Sequence, residues 1–192
     1  MAGPRKPTRK LPASELFDYA VKALAARAHS SSELRQKLLK RAELIADIEP
    51  VIGRLKEYGY LNDKRFAESF ANSRLENRGF GKVRVLQELR GRRVAPKLAE
   101  EAVAQTFQGK DEKTLIEQYL ERKYRSTPLS EYLGDQKRLA AVYRRLRRAG
   151  FSHGNSVAVL FRHAKEAAAL DEMTPEEPEE DDSAPRPDTE DR

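Results

Sequence analysis

The chain has 192 residues, of which 35% are charged and 39% apolar, and it carries a formal net charge of +6 at pH 7. This composition favours one medium-sized domain or a few small helical units with large solvated faces. It contains no cysteine, which excludes disulfides and thiolate metal sites, and since no signal peptide or membrane-spanning run is recognisable, a cytoplasmic protein is expected.

The charge is distributed unevenly along the chain. Residues 171–192 contain eleven Asp or Glu and two Arg, a net charge of −9, which leaves +15 for residues 1–170. The acidic tail 171–192 has too few apolar residues to fold and is predicted to be disordered. Residues 1–12 are predicted to form a flexible basic arm. So basic a body favours negatively charged partners, either polyanions or acidic protein surfaces.

Apolar residues recur at helical spacing in nine segments between about residues 13 and 170, and no segment reads as a strand. The first helix is expected over about 14–28. The second follows Ser30, because Ser30 and Glu33 have the spacing of a capping box. The third contains Ile48 and Leu55.

A short joint separates the third helix from the fourth. Gly59 can adopt the left-handed conformation that closes a helix. Tyr60 and Leu61 are expected to fold back onto its last turn, and Asn62 or Asp63 to cap the next helix. The predicted joint comprises Gly59, Tyr60, Leu61, Asn62, Asp63 and Phe66.

Six further helices follow the joint. The fourth helix is predicted to end before Gly79, the fifth to begin near Gly81 or Lys82, and the sixth to follow Pro96. The seventh contains Leu115 and Leu120, the eighth runs from near Asp135 to Gly150, and the ninth begins near Asn155 or Ser156. A loop containing Thr127 and Pro128 precedes the eighth helix.

The helices repeat in groups of three. A shift of 51 positions places Leu38 on Leu89, and a further shift of 57 places Leu89 on Leu146. The sequence therefore predicts an all-α fold of three tandem three-helix repeats at 13–60, 61–108 and 109–170. Since so small a repeat buries little core alone, neighbouring repeats are expected to stabilise each other in an elongated, curved, solenoid-like body.

Basic residues on helix faces opposite the core are the strongest functional signal. Arginine binds phosphates and carboxylates through two parallel hydrogen bonds, so these faces are predicted to bind a partner or DNA. The alternative is a solvated face without a partner. The candidate residues are Arg74, Arg78, Lys82, Arg84, Arg90, Arg92, Arg93, Lys137, Arg144 and Arg148.

Catalytic and metal sites are not indicated. Gly79-Phe80-Gly81-Lys82 lacks the spacing and preceding strand of a phosphate-binding loop, so a structural turn is favoured. His153 and His163 are ten residues apart, which does not match two ligands on one helix face. We therefore predict that the chain is not an enzyme and uses neither a metal ion nor another cofactor.

The aromatic residues are assigned mainly to the core. Packing is favoured over base stacking for Tyr60, Phe66, Phe70, Tyr119, Tyr143 and Phe161. Tyr58 and Phe80 each adjoin a glycine, and for these two residues exposure is left open.

Several of these motifs resemble the RecX family of regulatory proteins. The resemblance rests on Gly59-Tyr60-Leu61-Asn62-Asp63 with Arg65-Phe66-Ala67, on Ser32-Glu33-Leu34-Arg35 with Lys37-Leu38, and on Arg78-Gly79 with Gly81 and Glu88-Leu89. It covers about 14–168. The family often has Asp where Asn62 stands, and either residue can cap a helix.

The resemblance implies a regulator of DNA repair, homologous recombination and the SOS response. RecX proteins bind the RecA recombinase filament on single-stranded DNA and inhibit its growth, strand exchange, ATP hydrolysis and co-protease activity. The implied partners are RecA, in the filament groove or at its end, and DNA, single-stranded and in the broader case double-stranded. A monomer that does not bind membranes is expected.

Two other functions are open from the residues alone. The chain could be a general DNA-binding protein of helix-turn-helix-like repeats that acts without the recombinase. An enzyme of nucleic-acid metabolism is a further alternative, although the sequence offers no candidate catalytic site for it.

Overall fold

The protein is described by a computed structural model covering residues 9–126 and 129–163. The predicted acidic tail 171–192 and the first eight residues of the predicted basic arm lie outside these residues. Within the described ranges the chain is all-α, as predicted, and the β-structure there is limited to an isolated bridge between Leu11 and Ala42.

All nine predicted helical segments are present, together with a short tenth helix. The α-helices are α1 Ala13–Ala26, α2 Ser31–Leu39, α3 Ile48–Glu57, α4 Asp63–Ser73, α5 Lys82–Gly91, α6 Pro96–Thr106, α7 Glu112–Lys123, α8 Leu129–Tyr132, α9 Gln136–Arg148 and α10 His153–His163. A 3-10 turn at Ile45–Asp47 precedes α3, and a π-helical turn at Arg74–Arg78 follows α4.

Thr127 and Pro128 of the predicted loop lie outside the described residues, but the connection between α7 and α9 includes a helical turn that was not predicted. It contains the single-turn helix α8, after which the Leu133 amide donates to the Leu129 carbonyl at 2.9 Å. Leu133 is fully buried in the core formed with α7, α9 and α10. Burial of this leucine explains why the chain coils here instead of crossing in an extended loop.

The last helix begins earlier than predicted, at His153 instead of near Asn155 or Ser156. The Ser152 carbonyl accepts the Ser156 amide at 3.1 Å, which makes Ser152 the residue before the first turn. The Ser152 amide in turn donates to Glu112 at 3.0 Å. A side chain of α7 therefore sets where α10 starts, and the local sequence does not show this.

Two compact units divide the described residues. One contains 9–78 and 85–108, and the other contains 79–84, 109–126 and 129–163. In the first unit α1 packs on α2 and α3, and α4 packs on α6. In the second unit α10 packs on α7 and α9. The division into repeats at 13–60, 61–108 and 109–170 remains a prediction.

Each unit is built around buried aliphatic and aromatic side chains. The core of α1–α3 includes Leu16, Leu34, Leu38, Ile52 and Leu55. In α4–α6 the buried residues include Phe66, Val85, Leu89, Ala99 and Phe107. The core of the second unit includes Ile116, Tyr119, Leu139, Tyr143, Leu146 and Phe151.

The assignment of Phe161 to the core is wrong, because its side chain is 56% exposed. The buried face of α10 consists of Ser156, Val157, Val159 and Leu160. Phe161 lies about 100° further around the helix than Leu160, and this rotation points it away from the core.

Candidate nucleic-acid and partner interface

Helix α9 carries a line of cations opposite its buried face. Its inner face consists of Leu139, Val142, Tyr143 and Leu146, as the sequence predicts. Lys137, Arg144 and Arg148 are exposed on the other side. At a rise of about 1.5 Å per residue, the line extends for about 16 Å, and Arg144 and Arg148 are about 6 Å apart. We call these three residues the α9 stripe.

Both ends of α9 are fixed by local hydrogen bonds. At the start, the Asp135 carboxylate accepts the Arg138 amide at 2.8 Å. At the end, Gly150 has a φ of +88°, and the Phe151 amide donates to the Leu146 carbonyl at 3.2 Å. This is the Schellman arrangement, which requires a left-handed residue at the glycine position. The stripe is therefore carried by a helix with two defined ends.

The start of α5 lies against the end of α9 within the second unit. The Gly81 amide donates to the Ala149 carbonyl at 2.7 Å, and a Cβ at Gly81 would overlap the Gly150 backbone. Arg84 Nη1 donates to the Arg148 carbonyl at 3.1 Å. Two predicted site residues far apart in the sequence, Arg84 and Arg148, are thus adjacent, and the close backbone approach requires glycine.

Arg84 and Lys82 have further neighbours in this region. The Arg84 guanidinium lies 3.9 Å from the centroid of the Phe80 ring, which is partly buried against the core of the second unit. Lys82 is exposed, and its charge helps to lower the pKa of Glu112. Burial alone would raise that pKa, but hydrogen bonds from Ser152 and Asn155 outweigh this effect. Residues 79–81 are an irregular connection between the π-helical turn and α5, and Lys82 is the first residue of α5.

The basic residues of the first unit fall into two groups. Arg74 Nε lies 2.6 Å from a Glu88 oxygen, and its guanidinium is 4.6 Å from the centroid of Phe70. Arg92 likewise pairs with Glu33 within the first unit. In contrast, Arg78 and Arg93 are exposed, and Arg90 makes an exposed pair with Glu100 at 3.3 Å. Arg74 and Arg92 therefore act within the fold.

Arg92 connects the end of α5 to the start of α2. Its Nη1 donates to Glu33 Oε1 at 3.0 Å, and its carbonyl accepts the Ser30 hydroxyl at 2.6 Å. Burial alone would raise the pKa of Glu33, but the neighbouring His29 ring, the Arg92 guanidinium and the charge of Arg27 hold it at about 2. Glu33 also completes the predicted capping box, since the Ser30 hydroxyl accepts its amide at 3.0 Å.

The predicted joint ends α3 as expected. Gly59 has a φ of +71°. Its amide donates to the Lys56 carbonyl, and the Tyr60 amide donates to the Leu55 carbonyl at 2.9 Å. These two bonds form a Schellman motif. Leu61 is buried and folds back as predicted, but Tyr60 is 57% exposed and its assignment to the core is wrong.

The two polar residues of the joint have different roles. Asn62 caps α4, because its Oδ1 accepts the Arg65 amide at 2.9 Å. Asp63 instead accepts the Ser31 amide at 2.6 Å, which is one of the unpaired donors at the start of α2. Phe66 is buried on the first turns of α4. The joint therefore ties two three-helix groups of the first unit to each other, in addition to separating two helices.

The end of α5 repeats the same motif with an arginine at the left-handed position. Arg93 has a φ of +57°, and no other non-glycine residue of the described part has a positive φ. The Val94 amide donates to the Leu89 carbonyl at 3.2 Å, and Val94 is buried. A left-handed arginine costs about 1 kcal/mol or more relative to glycine, and its side chain remains exposed.

Tyr58, whose exposure was left open, belongs to a cluster of rings that was not predicted from the sequence. Tyr58 is 60% exposed, and its ring makes edge contacts with Phe17 and Tyr60. The Arg54 guanidinium lies 4.3 Å from the centroid of Phe17. A signal was available, since Arg54 and Tyr58 are four residues apart on one side of α3, beside the buried face that contains Leu55.

The three histidines lie at separate helix ends. His29 is buried with Nδ1 3.7 Å from Glu33 Oε2. His153 Nδ1 is 2.7 Å from the Tyr143 hydroxyl, and His163 Nε2 is 2.9 Å from a Glu117 oxygen. Across the described ranges no three His, Asp or Glu side chains are grouped so that they could hold a metal ion. Nor is any helix in those ranges both long and apolar enough to cross a membrane.

Two family models match separate parts of this chain. A model of the first three-helix domain of RecX matches residues 17–55, and a model of the second matches residues 62–103. A protein of Deinococcus radiodurans named regulatory protein RecX is 36% identical over 178 residues, which cover 92% of this chain and 79% of that protein.

A second relative and a solved structure are also similar. The regulatory protein RecX of Halorhodospira halophila is 45% identical over 86 residues, which cover 45% of this chain and 53% of that protein. The crystal structure of RecX from Lactobacillus salivarius superimposes with a TM-score of 0.59 at 19% identity, over 79% of this chain and 96% of that one. At this identity the structural likeness establishes the fold alone.

Proposed function

This chain belongs to the RecX family of regulatory proteins, and from this we propose that it binds the RecA recombinase filament on single-stranded DNA. It lies in the filament groove or at the filament end and inhibits filament growth, strand exchange, ATP hydrolysis and co-protease activity. It acts in the cytoplasm as a monomer that is not an enzyme, needs no cofactor and does not bind membranes.

The α9 stripe is the observation that best supports this proposal. Lys137, Arg144 and Arg148 are exposed along about 16 Å of one helix, and the Arg84 guanidinium bonds to the backbone at the Arg148 end. A line of cations on a rigid helix suits a row of phosphates or of acidic side chains, and rigidity reduces the entropy lost on binding. We propose that this surface, with Lys82, contacts the filament.

The proposal is tested by reversing the charge of the stripe. The variant with Lys137→Glu, Arg144→Glu and Arg148→Glu is added to preformed RecA filaments, and DNA-dependent ATP hydrolysis is measured. The unaltered protein is expected to lower the hydrolysis rate at stoichiometric amounts, and the variant to lose most of this inhibition. A protein that leaves the rate unchanged would contradict the proposed function.

A matched control separates a specific surface from bulk charge. Lys22, Lys64 and Lys110 are also exposed, and their replacement by Glu changes the net charge by the same amount. Inhibition by this control variant is expected to stay close to that of the unaltered protein. Equal losses in the two variants would show that net charge, and not the α9 stripe, determines inhibition.

The alternative is a general DNA-binding helical-repeat protein that acts without the recombinase. Binding to DNA that weakens with salt is expected under both hypotheses, because phosphate contacts release counterions. Binding to RecA in the absence of DNA is expected only of the recombinase regulator. Affinity for DNA with no affinity for RecA, alone or on filaments, would favour the alternative.

A further inference from the structure

We propose that the exposed rings at the end of α3 form a stacking site for the bases of single-stranded nucleic acid. The site, called the tyrosine patch, consists of the exposed Tyr58 and Tyr60 with Arg54, packed against Phe17 of α1, which is partly buried. It rests on the nucleic-acid part of the proposed function and does not depend on binding to the recombinase.

The patch is exposed because the Schellman motif directs its two tyrosines outward. Leu55 and Leu61 are buried and supply the apolar contacts that close the end of α3. Tyr58 and Tyr60 flank the left-handed Gly59, and they are 60% and 57% exposed. The local fold already has its hydrophobic closure in Leu61, so it does not need the two rings for its core.

The rings also contact one another without a ligand. Tyr58 meets Phe17 at a centroid distance of 6.1 Å and an interplanar angle of 85°, and it meets Tyr60 at 6.3 Å and 77°. Such edge contacts restrict Tyr58 while leaving ring faces in solvent. The Arg54 guanidinium lies over the Phe17 ring, 4.3 Å from the centroid of that ring.

These features favour single-stranded nucleic acid over other occupants. Every base offers a flat π-face to an exposed ring, and nearby cations bind the backbone between the bases. Arg54 is exposed on the same side of α3 as Tyr58, four residues earlier, and supplies that charge. In a duplex the bases are stacked on each other, so their faces are not available to the patch.

The ring orientation agrees with this assignment. The Tyr58 and Tyr60 rings are inclined at 77° with centroids 6.3 Å apart, whereas bases stacked on each other are parallel. Two bases that bind both rings must therefore be separated from each other. This requirement is met by flexible single strands, and it predicts a preference for weakly stacking thymidine tracts over strongly stacking adenosine tracts.

Fluorescence provides a direct test, because the chain contains no tryptophan. Tyr58→Trp and Tyr60→Trp each place one indole in the patch, and Phe161→Trp serves as the control at a residue that is 56% exposed. Addition of an unlabelled single-stranded oligothymidine is expected to quench both patch indoles strongly. The control indole is expected to remain largely unquenched.

Affinity gives the second test, measured by anisotropy with a labelled oligothymidine. Tyr58→Ala and Tyr60→Ala are each expected to weaken binding by about fivefold to tenfold, whereas Phe161→Ala leaves it unchanged. Tyr58→Phe keeps the ring face and is expected to retain most of the affinity. Because both tyrosines are largely exposed, the helical circular dichroism signal of these variants should match that of the unaltered protein.

Three results would overturn the assignment. The first is unchanged oligothymidine affinity in the Tyr58→Ala/Tyr60→Ala double variant. The second is patch indoles quenched no more than the control. The third is a double variant that loses binding to RecA without DNA while keeping its DNA affinity, which would identify the patch as a protein-docking surface. None of these results would remove the evidence for recombinase regulation, so the two proposals fail separately.

Discussion

The pair between Glu33 and Arg92 yields a quantitative prediction about stability. The perturbation is Glu33→Gln, which removes the charge while keeping a side-chain oxygen for the Ser30 amide of the capping box. The substitution therefore removes the carboxylate charge that His29, Arg92 and Arg27 together stabilise at the start of α2.

The magnitude follows from the pKa of Glu33, which falls from 4.5 to about 2 on folding. A shift of this size corresponds to at most about 3 kcal/mol of stability at neutral pH. The Arg92 side chain is 31% exposed and that of Glu33 is 14% exposed, so solvent screening reduces the expected value to about 1–2 kcal/mol. Glu33→Gln should lower the free energy of unfolding at pH 7 by that amount.

The direction of the pKa shift determines how the contribution of Glu33 to stability changes with pH. Because the folded-state pKa is below the unfolded value, the contribution is fully present above about pH 4.5 and is lost as the pH falls toward 2. The difference in unfolding free energy between the unaltered protein and Glu33→Gln should be less than half as large at pH 3 as at pH 7. Urea unfolding followed by circular dichroism at pH 7, 5 and 3 measures this difference.

An exposed pair provides the matched control. Arg35 Nη2 donates to Glu49 Oε2 at 2.9 Å, but the Glu49 side chain is 65% exposed. Glu49→Gln should therefore change stability by a few tenths of a kcal/mol at most. The reasoning is refuted if Glu33→Gln is no more destabilising than Glu49→Gln at pH 7, or if its effect is as large at pH 3 as at pH 7.

Three further predictions concern the joint and the left-handed positions. Gly59→Ala should lower the free energy of unfolding by about 1 kcal/mol from its φ alone, since a Cβ there meets nothing within 4 Å. Gly150→Ala should lower it by more than about 2 kcal/mol, because its Cβ would lie 2.6 Å from the Cβ of Arg84. The urea midpoints of the two variants test this order. Arg93→Gly should raise stability by about 0.5–1 kcal/mol in thermal unfolding, and a loss of stability would show that the arginine side chain makes a stabilising contact. Asp63→Ala should cost about 1–3 kcal/mol by leaving the buried start of α2 without its acceptor, and unchanged urea unfolding would contradict this.

Local patterns predicted the parts of the fold that depend on neighbouring residues. The buried face of α9, the capping box at Ser30 and the left-handed Gly59 all follow from spacings of five residues or fewer, and the structure contains each of them. The exposure of Tyr60 was not predicted from the sequence. Its side chain was assigned to the core from helical spacing, but the left-handed Gly59 ends the helix before it. For a residue after such a glycine, helical spacing carries no information.

Contacts between distant segments could not be predicted in this way. Asp63 appeared equivalent to Asn62 as a cap for α4, yet it accepts the Ser31 amide 32 residues earlier. Arg92 pairs with Glu33 across 59 residues, and Arg84 bonds to the carbonyl of Arg148 across 64. Each of these partners is determined by how helices pack, which is a property of the folded chain and is not encoded in any short motif.

The basic residues of the body thus include both paired and exposed side chains, which affects how binding residues can be identified. Arg74 and Arg92 are paired with carboxylates inside the first unit, so reversing their charge would place like charges together and destabilise the fold. A loss of partner binding in such a variant would not identify a contact surface. Lys137, Arg144 and Arg148 are exposed on a helix whose core face is made by other residues. Their substitution changes the surface without changing the core, so these three residues allow a test in which binding and folding are separable.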